Sequence, residues 1–239
     1  MLINATLTVP GDKDTTLQYA ANHFVTIARD AIEDHGFFSV ALSGGSTPKA
    51  IYELICQPGL SEEMEWEKVH LFWSDERSVF PDDPESNYRM AMEAGFANMP
   101  LLPQHIHRMI AEKDIEAEAH RYETEMKRIL DDQALDLVML GMGEDGHTAS
   151  LFPGTAALEA HGRLCVANHI PQKKTWRMTL TLECINAAAH IVVYVIGSNK
   201  KEMLHHVFNT PPKLPCQHVG TVDNPATWIA DEAASQTPT

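Results

Sequence analysis

The sequence lacks several features that would place the protein in a membrane or on a nucleic acid. No apolar run approaches the ~20 residues that a membrane-spanning helix requires. Residues 1–16 contain neither the basic cluster nor the apolar segment of a secretory leader, so we expect no export signal. Basic residues are scarce, 18 against 33 acidic ones, and the formal net charge of −15 disfavours binding to nucleic acid or to anionic lipid.

Cysteine is also scarce, which bears on the compartment. The four cysteines are scattered and form no C-x-x-C pair: Cys56, Cys165, Cys184 and Cys216. This pattern predicts reduced, mostly buried thiols rather than a disulfide framework, and we expect a cytoplasmic protein. The shortage of cations makes each arginine or lysine beside a polar turn informative, because an anionic ligand would need them.

Apolar residues are sufficient for a full core, at 44% of the chain, and their spacing alternates between two periods. Helical spacing predicts helices over 14–34, 47–56, 84–96, 114–130 and 199–208. Short apolar runs predict strands over 37–42, 69–74, 135–141, 163–169 and 190–197, and residues 227–235 predict a closing strand and helix. Alternating strands and helices indicate an α/β fold, with a mostly parallel sheet covered by helices on both faces. We expect residues 1–239 to form a single domain.

Four polar clusters follow predicted strands directly. They read "SGGSTP" (43–48), "SDERS" (74–78), "GEDGHTAS" (143–150) and "GSNKK" (197–201). Ligands of parallel sheets bind beyond the carboxyl ends of the strands. The four clusters therefore predict one site at that edge of the sheet.

The third cluster contains Gly141-x-Gly143-x-x-Gly146, the spacing of a dinucleotide-binding turn. That interpretation also needs a helix after the turn and an acidic residue about 20 positions on, and neither is convincing here. Two carboxylates in the turn would also face the pyrophosphate. We favour the alternative, in which the glycines let the backbone turn and bring Asp145 and His147 to the sheet edge.

The "SGGSTP" turn opens a predicted helix, and its free backbone N–H groups would suit a phosphate. Hydroxyls of Ser43, Ser46 and Thr47 would add donors. The alternative is an ordinary strand-to-helix turn with a capping hydroxyl. The chain has no G-x-x-x-x-G-K-[ST] phosphate loop and no G-x-S-x-G nucleophile elbow, which argues against a P-loop nucleotide site and a serine esterase.

Candidate catalytic groups lie in the second and third clusters. Asp75 could accept a proton or hold a sugar hydroxyl, and Arg77 could stabilise an oxyanion, although a solvated charge run is the alternative. His147 is the natural general base near neutral pH, and Asp145 could fix its tautomer.

Two further cations, Arg177 and Lys200, are candidate phosphate clamps, which we expect at separate strand ends. The histidines at 105, 107, 205 and 206 lack the spacing of a metal-ligand set, so we interpret them as packing or solvated residues.

Five segments together carry a likeness that no single motif has. They are "ALSGGSTPKAIYELI" (41–55), "FWSDERSVFPDDPESNYRMA" (72–91), "DLVMLGMGEDGHTASLFPG" (136–154), "RMTLTLECINAA" (177–188) and "VIGSNKKEML" (195–204). In this order they resemble the 6-phosphogluconolactonases, whose superfamily includes the glucosamine-6-phosphate deaminases. The resemblance implies a Rossmann-like α/β lactonase domain, no metal or cofactor, and hydrolysis of 6-phospho-D-glucono-1,5-lactone in the pentose phosphate pathway.

The resemblance also implies roles for particular residues. Near the phosphate it places Gly44, Gly45, Ser46, Thr47, Arg177 and Lys200; along the sugar ring it places Asp75 and Arg77; and it makes His147 the acid/base. The deaminases carry a catalytic glutamate five residues after this histidine, where the chain has Phe152. We therefore favour the lactonase, with a deaminase/isomerase or a non-catalytic sugar-phosphate sensor as alternatives. We expect a small-molecule substrate, no nucleic acid or membrane partner, and a monomer or weak homodimer.

Overall fold

The described part of the chain, residues 3–131 and 133–237 of a computed structural model, contains two sheets. The expectations of a single domain over residues 1–239 and of no export signal also concern residues 1–2, 132 and 238–239, which lie outside the described part. The strands are β1 (Ala5–Thr8), β2 (Phe38–Leu42), β3 (Val69–Trp73), β4 (Asp75–Arg77), β5 (Leu137–Gly141), β6 (Cys165–Ile170), β7 (Thr175–Leu180), β8 (His190–Val195) and β9 (Ala226–Ala230). The helices are α1 (Lys13–His35), α2 (Ser46–Ile55), α3 (Asn87–Glu93), α4 (Ile115–Leu130), α5 (Leu182–Ala187), α6 (Lys201–Asn209) and α7 (Glu232–Ser235).

The larger sheet is parallel throughout, in the order β1-β9-β8-β5-β2-β3, which confirms the predicted α/β class. All five residues of β2 are buried, as are five of the six in β8. A strand whose successive side chains are all buried must be covered on both faces, because neighbouring side chains point to opposite sides.

The order of these strands creates a crevice at one place. The chain passes from β2 to β3 on one side, and β5 then pairs with β2 on its other side. Such a reversal separates the loops that follow the two central strands and leaves space for a ligand. The turns after β2 and β5 are the "SGGSTP" and "GEDGHTAS" clusters.

The smaller sheet is antiparallel, in the order β4-β7-β6, and it was not predicted from the sequence. The run predicted as a strand over 163–169 lies here, as β6, and β1, β7 and α5 were not predicted. Ser74 links the two sheets, since its N–H and hydroxyl donate to the Leu42 carbonyl at 2.8 and 3.0 Å while its own carbonyl accepts from the Leu180 N–H at 2.8 Å. This link directs β4 toward the crevice.

Helix ends follow local chemistry. Asp12 caps α1 by accepting from the Thr15 N–H at 2.9 Å, and Gly36 ends it with a left-handed φ of 93°. The helix predicted over 84–96 is shorter, because Ser86 caps α3 and Gly95, with a φ of 136°, follows its end. Within the described residues, no helix combines the length and apolarity needed to cross a bilayer.

Candidate active site

A cavity of about 260 Å³ opens beyond the carboxyl ends of β2 and β5. Seven of the ten predicted site residues line it: Gly44, Gly45, Asp75, Arg77, His147, Arg177 and Lys200. Asp145 lies behind His147, and Ser46 and Thr47 lie in the first turn of α2 without lining the cavity. Four clusters that are far apart in the sequence are thus brought to one place.

The imidazole of His147 is fixed at one edge by Asp145. Its Nδ1 is hydrogen-bonded to Oδ1 of that carboxylate, which also accepts from the backbone N–H of His147 at 3.2 Å. Burial acts to raise the pKa of Asp145, but the hydrogen bond and charge of His147 outweigh it, and the pKa is lowered. An ionised carboxylate on Nδ1 leaves Nε2 available to take a proton from a group in the cavity.

Gly143 and Gly146 are required for two different physical reasons, and neither reason involves a dinucleotide. A Cβ at Gly143 would lie 2.1 Å from Nδ1 of His147, so only glycine lets the imidazole pack there. Gly146 has a φ of 76°, where a side chain is strained, and a Cβ would meet Leu214 at 2.7 Å. The favoured interpretation of this turn, delivery of Asp145 and His147 to the sheet edge, is confirmed.

Two arginines face each other at the cavity. Arg77 of β4 is the direct cross-strand partner of Arg177 of β7. The prediction that Arg177 lies at a strand end is therefore wrong: it lies in the interior of β7, in the antiparallel sheet. Like charges directly opposite each other destabilise a strand pair unless an anion or carboxylate offsets them.

The guanidinium groups retain unused donors. The Nε atoms of both Arg77 and Arg177 are buried without a hydrogen-bond partner in the described part of the chain. Burial lowers the pKa of Arg177, the Asp75 carboxylate opposes this, and the charge of Arg77 adds to it. A buried donor without a partner costs free energy. Both arginines line the cavity, and two adjacent cations there favour an anionic ligand.

Asp75 is held rigidly at the cavity wall. Its carboxylate accepts from the Ser150 hydroxyl at 2.6 Å and from the Asn87 amide at 3.1 Å, and its Oδ2 lies 3.7 Å from Nη1 of Arg177. A carboxylate can accept about four hydrogen bonds, so Asp75 keeps capacity for a ligand hydroxyl. Asn87 and Ser150 were missed, because they lie 12 and 75 positions from Asp75 with no local pattern linking them.

The neighbouring carboxylate, Glu76, has a structural role. It accepts from the backbone N–H groups of Arg77, Asn87 and Tyr88, each at 2.8 Å, and from the Ser86 hydroxyl at 3.0 Å. These bonds fasten the start of α3 to β4. Burial raises the pKa of Glu76, and the three backbone N–H donors oppose the rise.

The "SGGSTP" turn is held by hydrogen bonds to Tyr52 at its start, and its end forms the N-terminus of α2. The Tyr52 hydroxyl donates to the carbonyl of Ser43 and accepts from its N–H, both at 2.9 Å. No side chain of the described residues caps the N-terminus of α2, and Pro48 has no N–H. The N–H groups of Ser46 and Thr47 therefore remain available to a ligand at the edge of the cavity.

Lys200 reaches the same cavity from the turn after β8. Its Nζ donates to the carbonyl of Met142 at 2.9 Å, which uses one of its three donors. Together with Arg77 and Arg177 it makes this small region cationic in a protein whose net charge is −15. The cavity is thus suited to a small anion.

The histidines of "HIH" lie elsewhere. His105 and His107 stack on His70, with ring centroids 3.8 and 5.3 Å apart, and His70 is near the amino end of β3, away from the cavity. Within residues 3–131 and 133–237, no group of three or more histidine, cysteine or acidic side chains is arranged to hold a metal ion.

The chain is similar to known proteins in sequence and in fold. The model of the family described as glucosamine-6-phosphate isomerases/6-phosphogluconolactonase matches residues 11–228. A 6-phosphogluconolactonase of Chlamydia muridarum is 39% identical over 89% of this chain and 82% of its own length, and one of a Synechocystis species is 36% identical over 94% and 95%. The solved 6-phosphogluconolactonase from Trypanosoma cruzi is 28% identical, with a TM-score of 0.85 over 98% of this chain and 97% of its own. The chain therefore belongs to the glucosamine-6-phosphate isomerase/6-phosphogluconolactonase family.

Proposed function

We propose that this protein hydrolyses 6-phospho-D-glucono-1,5-lactone to 6-phosphogluconate, a step of the pentose phosphate pathway. The observation that carries the proposal is one cavity holding a carboxylate-bound imidazole together with two facing arginines that have unused donors. The first arrangement suits proton transfer, and the second suits an anionic substrate. The named relatives support the same activity.

The phosphate would bind at the cationic side of the cavity. In this proposal Arg177 and Lys200 contact its oxygens, joined by backbone N–H groups of the turn that includes Gly44 and Gly45 and of the first residues of α2, Ser46 and Thr47. These contacts hold the lactone by the end that does not react and so supply positioning.

The reacting end would lie between Asp75, Arg77 and His147. Asp75 accepts a hydrogen bond from a ring hydroxyl, using the lone pairs that Asn87 and Ser150 leave free. His147 Nε2 takes a proton from a water whose oxygen forms a bond to the lactone carbonyl carbon. Arg77 stabilises the oxyanion that results.

Collapse of this intermediate completes the hydrolysis. The bond between C1 and the ring oxygen breaks as the carbonyl re-forms, and the protonated His147 returns its proton to the departing oxygen. No covalent enzyme intermediate is needed, because a δ-lactone is an activated ester. General base catalysis contributes about 10²–10⁴-fold and oxyanion stabilisation a comparable factor.

The alternative deaminase activity lacks a group in this site. The resemblance places the catalytic glutamate of the deaminases five residues after the active-site histidine. Here that residue is Phe152, which is 1% exposed and has no proton to exchange. Ammonia release from glucosamine 6-phosphate would identify the alternative.

A coupled assay tests the proposal. Glucose 6-phosphate is oxidised enzymatically to the lactone, and acid release is followed with and without the protein. We expect release well above the spontaneous rate, and we expect His147→Ala to lose most of it while still binding 6-phosphogluconate in calorimetry. Release at the spontaneous rate would refute the lactonase, and full kcat in His147→Ala would refute the role of this residue.

We further propose that the protein is cytoplasmic and that it is a monomer or a weak homodimer. All four cysteines are unpaired. Burial raises the pKa of the Cys56, Cys184 and Cys216 thiols to about 12, so these side chains stay protonated and unreactive. Light scattering across a concentration series measures the oligomeric state, and a stable larger assembly would contradict it.

A further inference from the structure

The ring of Phe152 packs flat against the imidazole of His147. The two ring centroids are 4.0 Å apart, and the planes are inclined by 16°. Phe152 is 1% exposed, so its ring is buried within the protein. Since Asp145 holds the imidazole at Nδ1, His147 is constrained both at one edge and at one face.

The same phenyl ring also contacts a permanent cation. The guanidinium carbon of Arg177 lies 5.7 Å from the ring centroid of Phe152. The face of a phenyl ring carries partial negative charge and attracts cations. Phe152 does not line the cavity, so it would act on the reaction only through the groups that it touches.

We propose that Phe152 is a positioning residue for His147, whose imidazole its ring both orients and favours in the protonated form. This inference rests on the proposed function, in which His147 takes a proton from water and becomes an imidazolium. The stacked ring stabilises that cation at the moment it forms, and it adds no hydrogen-bonding group that would compete for Nε2.

The alternative is that Phe152 only fills space. Leucine distinguishes the two roles, because it retains most of the apolar volume and has no aromatic face. Tyrosine retains the face and should rescue the effect. A purely structural role would change the stability of the fold without changing how the imidazole titrates.

The test has one readout that does not depend on activity. The ring C–H signals of His147, assigned by their loss in His147→Gln, are followed by NMR during a pH titration. In the wild type we expect them upfield of exposed histidine signals, because of the Phe152 ring current. In Phe152→Leu we expect the midpoint to fall by roughly 0.3–1 pH unit, since a cation–π contact of about 0.5–1.5 kcal/mol is lost and each unit corresponds to 1.36 kcal/mol.

Kinetics supply the second readout. In Phe152→Leu the acid limb of kcat/KM should move to lower pH by the same amount, with kcat reduced by roughly 3–20-fold and KM changed less than about twofold. Phe152→Tyr should behave like the wild type in both readouts. The matched control is Phe24→Leu: Phe24 is a fully buried phenylalanine of α1 that packs on Phe38, and its loss should lower stability without moving the His147 titration.

Each outcome bears on the inference. An unchanged midpoint in Phe152→Leu overturns it, and so does a shift of equal size in Phe24→Leu. If Phe152→Leu does not fold, wild-type His147 signals without an upfield displacement overturn it, and displaced signals support the stack. If the midpoint moves as expected but the wild type fails to hydrolyse the lactone, the proposed function fails and the stacking inference stands.

Discussion

Replacing Arg177 by methionine removes the guanidinium and keeps most of the apolar stem. The group has few internal bonds to lose: its Nη1 lies 3.4 Å from the Ser150 hydroxyl and 3.7 Å from Oδ2 of Asp75, and its Nε has no partner in the described residues. Asp75 keeps its bonds from Ser150 and Asn87 in the variant. The repulsion from Arg77 also disappears. We therefore expect the thermal midpoint of Arg177→Met to stay within a few degrees of the wild type.

Substrate binding should respond far more strongly. A hydrogen bond to a charged group contributes about 1.5–3 kcal/mol, and a guanidinium can give a phosphate two. Arg177 loses its hydration when the protein folds and not again when the substrate binds. Most of the free energy of the two hydrogen bonds, about 3–4 kcal/mol, therefore remains as binding affinity. At 1.4 kcal/mol per tenfold change, KM should rise by roughly 10²–10³-fold. Since the phosphate lies at the end that does not react, kcat should fall by less than about threefold.

Steady-state initial rates with the enzymatically generated lactone measure both constants. Arg177→Lys keeps the charge but loses the paired donors, and it should give an intermediate KM. Arg29→Met is the control, because Arg29 is exposed and, among the residues that the structure describes, its side chain bonds only to Glu63, at 3.1 Å. A KM within about fivefold of the wild type would refute the phosphate role. A lower kcat at unchanged KM would instead place Arg177 at the reacting carbon.

Three further predictions concern the imidazole, the start of α3 and the histidine stack. Asp145→Asn, which loses the charge that holds the His147 tautomer, should lower kcat at least roughly tenfold with little change in KM; equal kcat would contradict it. Glu76→Gln should lower the free energy of unfolding by about 2–4 kcal/mol, seen as a lower Tm. The NH₂ group of the glutamine amide would face N–H and O–H donors and could not accept hydrogen bonds from them; an unchanged Tm would contradict this prediction. Burial is the larger cause, and two neighbouring imidazoles the smaller, of a fall in the pKa of His70 from 6.5 to about 4. Between these two pH values the unfolded state binds more protons than the folded state, so the stability of the fold decreases as the pH drops from 6.5 to about 4. His70→Phe should flatten the decline of Tm between pH 6.5 and 4, and an equally steep decline would exclude His70 as its source.

Much of the main sheet was predictable because its signals are local. Strands such as β2 and β8 read as continuous apolar runs, and their burial depends only on being central in a covered sheet. The polar clusters after them were predictable for the same reason, since parallel strands deliver their carboxyl ends to one edge. The pairing of Asp145 with His147 also lies within a few residues of sequence.

Other parts of the site have no local signal. The segment "TWRMTL" has a weak pattern that suits either sheet, so its antiparallel pairing with β4 could not be read from it. That pairing alone places Arg177 opposite Arg77, a hundred positions away. The bond from Ser150 to Asp75 likewise depends on where two distant turns meet.

The sequence by itself determined the α/β class, the edge of the sheet where the candidate site lies, and the candidate residues for its chemistry. Only the tertiary structure decided which of them share a cavity, that two arginines face each other, and that Phe152 stacks on His147. The physical reason is that periodicity records how a segment meets its immediate surroundings, whereas cross-strand pairing and side-chain packing are set by segments that approach only when the chain folds.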